Sequence, residues 1–177
     1  MRLFDTIPTD RIEDLRTRAL LETLFASGMR IGEALSLRIK NIDWEKQEAI
    51  IRGKGGDERV VGFTERALYW LRKYLKRRED NCEWLFANRS GTGGLKQAAA
   101  KYYLRTHQKE WNLDKHITFH TFRRSLATYL MNKKMELKQV QNAIGWKSER
   151  TLLRYYACVN KEKARENLKR IANLKGK

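Results

Sequence analysis

His120-Thr121-Phe122-Arg123, followed by an apolar-periodic segment, Gly145-Trp146 and, nine residues further, Tyr155, is the stretch on which the reading of this chain turns. Residues three apart share one face of a helix, so His120 and Arg123 are placed to hold a single phosphate between them. A guanidinium presents a planar fork of donors that keeps its charge, and an imidazole exchanges a proton near neutrality. Trp146 adds one N–H donor, and Tyr155 a phenol able to act as nucleophile. These groups together suit chemistry on a phosphodiester.

Working outward, two upstream segments carry further candidates. Leu15, Ala19, Leu20, Leu24 and Phe25 recur at helical spacing, with Thr9 or Asp10 as the expected cap and residues 1 to 9 as a short lead-in. Gly28 reads as the stop of that helix. Arg30 follows directly, at the start of a second helix whose Leu35 and Leu37 face inward, and Glu33 one turn on is placed to orient a neighbouring cation. Ala49-Ile50-Ile51 and Arg59-Val60-Val61 then flank Gly53-Lys54-Gly55-Gly56, which predicts a hairpin with a glycine-rich turn and Lys54 at its tip or shoulder. The spacing excludes a phosphate-binding P-loop.

In this order the motifs resemble the tyrosine recombinase, or phage integrase, family. Ala26 to Leu37 is similar to its first arginine motif, Gly53 to Val61 to its catalytic-lysine hairpin, and His120-x-x-Arg123, Trp146 and Tyr155 to its C-terminal signature. The likeness runs over roughly residues 15 to 160. It implies a mainly α (α+β) fold, a helical catalytic domain with a small antiparallel hairpin, acting as a site-specific DNA recombinase through a 3′-phosphotyrosyl intermediate. Arg30 and Arg123 would then grip the non-bridging oxygens and Lys54 protonate the leaving 5′-oxygen. His120 would accept the phenolic proton, and Trp146 donate one hydrogen bond where most relatives use histidine. Tyr155 would attack phosphorus, with Glu33 in support. The nine-residue interval selects Tyr155, Tyr156 being the alternative, and His-x-x-Arg selects Arg123 over Arg124. The implied partners are double-stranded DNA and further copies of the chain, a tetramer in a synaptic complex, with a monomer allowed in solution. Most members carry an additional N-terminal DNA-binding domain; residues 1–177 are read as a single catalytic domain without it.

Composition agrees with a polyanionic partner. Lys and Arg number 38 against 21 Asp and Glu, a formal charge of +17. Metal-dependent nucleases need two or three convergent carboxylates, whereas the acids here are scattered, so no metal or other cofactor is expected. Cys82 and Cys158 lack ligand spacing and fit free thiols in a reducing cytosol; with no apolar run near the ~20 residues of a membrane span, a cytoplasmic protein off the membrane is expected. Further helices are predicted after Thr64, carrying Leu68, Leu71 and Leu75, and over about Leu95 to Trp111, where Tyr102 or Tyr103 reads as core. Leu126, Ala127, Leu130 and Met131 are expected as the buried stripe after His120, and Leu137, Val140 and Ile144 as a helix ended by Gly145. The charged tail, about 160–177, is expected to dock on a neighbouring subunit. A non-catalytic DNA-binding regulator would lack one of the catalytic residue types, and none is missing; a type IB topoisomerase shares the chemistry, but the local motifs look more like integrases.

Overall fold

Helix α1 (Ile12–Ser27) is buried on nearly every side, and the first part of the chain is assembled around it. The computed structural model describes residues 2–53, 56, 58–113, 117–146, 153, 155–157 and 160–161. They divide into two compact units, Met1–Ala127 and Thr128–Lys177. In α1 the predicted apolar positions Leu15, Ala19, Leu20 and Leu24 are fully buried and Phe25 is packed at the edge of the core. Each buried leucine contributes about 1.5–3 kcal/mol. Arg18 and Glu22 are buried beside them, which is tolerable only with partners. Arg18 Nε donates to Glu22 Oε1 at 3.1 Å, and its guanidinium lies 4.4 Å from the Trp70 ring centre. The cap differs from expectation: Arg11, not Thr9 or Asp10, is the N-cap of α1, and its guanidinium reaches Asp14 in the first turn.

Residues 2–6 form a 3-10 turn rather than a mere lead-in. Phe4 and Ile7 are core residues, and Phe4 stacks on Phe122 with ring centres 5.4 Å apart. An aromatic side chain that buries so much apolar area orders even a short segment.

After α2 (Ile31–Leu35) come β1 (Ile42–Asp43), β2 (Glu48–Arg52) and β3 (Glu58–Gly62), an antiparallel sheet in the order β1-β2-β3. Pairing of Ala49 with Val61 and of Ile51 with Arg59 sets the register of the predicted hairpin. Ala49, Ile51 and Val61 face the core, and the alternate pair Ile50 and Val60 faces out. Lys54 lies outside the described residues. Helix α3 (Glu65–Lys76) packs along α1 through Leu68, Leu71 and Tyr74, and Thr64 Oγ1 accepts from Ala67 N at 3.2 Å, the predicted cap.

Helix α4 (Gln97–His107) is shorter than the sequence suggested. Tyr103 is the packed tyrosine, donating to Asp14 Oδ1 at 2.8 Å, whereas Tyr102 is 62 % exposed. In α5 (Phe119–Asn132) the buried residues are Phe119, Phe122, Arg123 and Ala127. Leu126, Leu130 and Met131 are only half-buried, so the expected stripe is displaced towards the start of the helix, where Phe119 and Phe122 join the core of the first unit. In the second unit, α6 (Leu137–Ile144) buries Val140 and Ile144, with Leu137 half-buried, and ends at Gly145 as predicted. The tail beyond Lys161 lies outside the described residues.

Candidate active site

The candidates in the first unit are built from Gly28 onward. Its φ of 63° belongs to the left-handed region that glycine enters without steric penalty, and its N–H closes α1 on Leu24 O at 3.0 Å. Its own carbonyl accepts a hydrogen bond from Arg123 Nη1. Two residues on, Arg30 is the N-cap of α2 and Glu33 occupies the third helical position. Glu33 reaches back to accept the Arg30 backbone N–H through Oε2 at 2.7 Å and the Arg30 guanidinium through Oε1 at 2.9 Å. This is the reach of a capping-box acid, here extended to a side-chain cation.

A further guanidinium joins them. Arg59, from β3, donates as a fork to the same carboxylate, Nη1 to Oε1 at 3.1 Å and Nη2 to Oε2 at 2.9 Å. Burial by itself would raise the Glu33 carboxyl; the hydrogen bonds and charges of Arg59 and Arg30 override it and hold its pKa at about 2. Arg123 is 4 % exposed. Burial, reinforced by the like charges of Arg30 and Arg59 and opposed by Glu33, draws its pKa down to about 10, which leaves it protonated at neutral pH. Three guanidiniums and one carboxylate give these four side chains a net charge of +2, and forked donors arranged in this way bind and stabilise oxyanions.

His120 stands in the first turn of the same helix as Arg123 but is exposed. It borders a cleft of about 710 Å³ whose lining includes Ile31, the neighbour of Arg30, together with Lys101, Tyr102, Arg105 and Phe119. Among the described residues no carboxylate lines this cleft. Arg124, the residue passed over by the spacing, is exposed, whereas Arg123 is held in the cluster. Among the described residues no three His, Cys, Asp or Glu side chains come together as metal ligands, and no helix is long and apolar enough to cross a membrane.

The second unit holds the other candidates. Gly145, with φ of 72°, turns the chain out of α6 and its N–H returns to Gln141 O at 2.8 Å. Trp146 is fixed next to it: its N–H donates to Gln141 O and its carbonyl accepts from Gln141 Nε2, both at 3.0 Å. The Trp146 and Tyr155 rings meet edge to face, 5.4 Å between centres at 72°. The Tyr155 hydroxyl is 2.6 Å from Thr128 Oγ1. Tyr156, the alternative, is 40 % exposed.

Sequence reasoning missed Arg59 as a site residue. The available signal was strand alternation, which places Arg59 on the inward side with Val61 while Val60 faces out. An inward arginine needs an anion, and Glu33 was the one at hand.

A helical scaffold with a small antiparallel sheet and clustered guanidiniums in its first unit, and a phenol in its second, is of a kind chemically suited to handling phosphate. The chain belongs to the phage integrase family, which it matches over residues 1–163. It is 31 % identical over 166 residues to tyrosine recombinase XerC of Leptospira interrogans, covering 92 % of this chain and 53 % of that protein. It is 34 % identical over 155 residues to XerC of Chlamydia trachomatis, covering 82 % of this chain and 48 % of that protein. The chain thus spans about half the length of these relatives. Among solved structures, XerH site-specific recombinase bound to palindromic difH substrate, in a post-cleavage complex, superposes with a TM-score of 0.73 at 30 % identity over 87 % of this chain and 45 % of that one. XerA recombinase shares the fold, with a TM-score of 0.75 at 21 % identity over 94 % of this chain and 61 % of that one.

Proposed function

We propose that this chain is the catalytic part of a site-specific DNA recombinase that cleaves and rejoins strands of double-stranded DNA through a 3′-phosphotyrosyl intermediate. The observation that carries the reading is the Glu33 carboxylate holding Arg30 and Arg59, with Arg123 seated on Gly28 O close enough to feel their charges. In this reading the Tyr155 phenol attacks the scissile phosphorus, the P–O5′ bond breaks, and the phenolic proton passes to His120. Lys54 gives a proton to the departing 5′-oxygen. Arg30 and Arg123 stabilise the charge that builds on the non-bridging oxygens, an effect on the order of 100-fold or more per donor. Trp146 donates one hydrogen bond to the phosphate, and Glu33 supports the arrangement. Rejoining is the reverse, with the 5′-hydroxyl as nucleophile. Residues 1–177 act as one catalytic domain, and copies assemble on DNA as a tetramer with the tail about 160–177 docked on a neighbour.

The test is a pool of duplexes, each nicked so that cleavage traps the enzyme, incubated with the protein in the presence of a chelator. A protein–DNA adduct is expected, lost in Tyr155→Phe while DNA binding persists. Loss in Tyr156→Phe instead would move the nucleophile by one residue, and absence of any adduct would overturn the reading. Deleting the residues after Asn160 should lower assembly on DNA; unchanged assembly would remove the tail from it.

A further inference from the structure

We propose that Arg59 is a positioning residue for strand cleavage: it fixes the Glu33 carboxylate in the orientation from which that carboxylate presents the Arg30 guanidinium to the scissile phosphate. The inference rests on the function proposed above and adds a residue that the motif spacing does not mark.

Arg59 sits on β3 between two exposed residues, Glu58 and Val60, and shares its inward side with buried Val61. Placing a guanidinium on an inward position costs desolvation unless it is paired. Its pairing is with Glu33, through both Nη atoms, while its Nε–H is buried and meets no acceptor among the described residues. Both Nη atoms of Arg59 thus engage Glu33, and its side chain is 20 % exposed against 42 % for Arg30, so Arg30 is the better presented of the two to a phosphate. Arg59 acts through another residue.

That residue is Arg30. The two Glu33 oxygens are divided evenly: Oε1 accepts from Arg59 Nη1 and Arg30 Nη1, and Oε2 accepts from Arg59 Nη2 and the Arg30 backbone N–H. A carboxylate rotated away from Arg59 would also lose its grip on Arg30. The Arg30 side chain is 42 % exposed, so its hydrogen bond to Glu33 restrains a long, rotamer-rich chain. The charged groups around Glu33 come from three elements: Arg30 capping α2, Arg59 on β3 and Arg123 on α5. Arg59 supplies the largest of the interactions that lower the Glu33 pKa. Without it, burial acts on the carboxyl with less opposition, and Glu33 takes up a proton at higher pH.

The experiment measures adduct formation on a nicked duplex recovered from the pool, as a function of pH, for wild type, Arg59→Met, Arg59→Lys and the double variant Arg59→Met/Glu33→Gln. DNA affinity is measured in parallel by mobility shift. Arg59→Met is expected to slow adduct formation by about 10-fold or more at neutral pH, the loss expected of a misplaced oxyanion donor, with little change in affinity. It should also gain an acid-side fall in rate beyond any that wild type shows, as Glu33 protonates and releases Arg30. The double variant, having no carboxyl to titrate, should lose that additional fall. Arg59→Lys keeps the charge but not the fork, so it should restore the wild-type profile and part of the rate. A merely structural role would lower the folded fraction and leave the shape of the profile unchanged. If wild type forms an adduct and Arg59→Met keeps the wild-type rate or profile, the positioning role is overturned and the recombinase reading stands. If wild type forms none, the recombinase reading fails and takes this inference with it. Should Arg59→Met not fold, Arg59→Lys decides: a full wild-type rate would overturn the need for a forked partner.

Discussion

Two of the arginine–carboxylate networks in the first unit differ in their arithmetic. In one, Arg18 and Arg66 face Glu22 and Asp5: Glu22 Oε1 accepts from Arg18 Nε at 3.1 Å and from Arg66 Nε at 2.9 Å, while Asp5 Oδ1 accepts from Arg18 Nη2 at 3.1 Å and Arg66 Nη2 at 3.0 Å. Two cations meet two anions, and the group is neutral. In the other, Arg30 and Arg59 share the Glu33 carboxylate, and Arg123 lies near enough to feel all three charges. In the first, charges of both signs are matched within the group; in the second, the four side chains named carry a net charge of +2, which suits the anionic ligand proposed above.

The contrast can be broken from either side. The largest effect is expected in the neutral network: Arg18→Met leaves buried Glu22 with Arg66 as its remaining cation and should cost up to about 3–5 kcal/mol of stability in urea unfolding, with the activity of the remaining folded protein unchanged. A full-strength network lost without loss of stability would end the distinction. Next, Arg123→Ala should reduce adduct formation by about 100- to 1000-fold. It should destabilise less than Arg18→Met, because its removal relieves repulsion with Arg30 and Arg59. Third, sulfate should raise the melting temperature of wild type more than that of Arg123→Ala, with a gain of about 2.7 kcal/mol at one hundred times the dissociation constant; equal shifts in both would show that the anion binds elsewhere.

A smaller difference concerns acid. The folded Glu33 pKa, about 2, lies below that of an unfolded glutamate, about 4.3. The unfolded state therefore binds the proton first as pH falls, so the contribution of Glu33 is complete above the unfolded value and is lost on descent through the folded one. Urea midpoints between neutrality and roughly pH 3 should fall less steeply in Glu33→Gln than in wild type. The smallest effect belongs to the exposed ion pair of Arg11 with Glu110, where Glu110→Ala should leave the urea midpoint within the scatter of measurement.

Local chemistry was the legible part of this fold. The stops at Gly28 and Gly145, the cap at Thr64 and the hairpin strands each depend on a few neighbouring residues, and the structure has them as expected. What stayed hidden depends on distant partners. Periodicity finds an apolar face but not which turn of α5 meets the core, so Phe119 and Phe122 were passed over for Leu130 and Met131. Arg18 and Glu22 look like ordinary solvated residues until α3 is laid against them. Arg59 reads as hairpin surface until the strand register turns it inward to Glu33, a contact across twenty-six residues of sequence.

Gly28 has a consequence for mutational scanning. It is itself neither a candidate nucleophile nor a proton donor, yet the backbone oxygen it leaves at the end of α1 is the seat of the Arg123 guanidinium. A side chain there would strain a backbone at φ of 63° and shift that oxygen. In a tolerance map, a turn residue with no chemistry of its own would score beside the reactive ones.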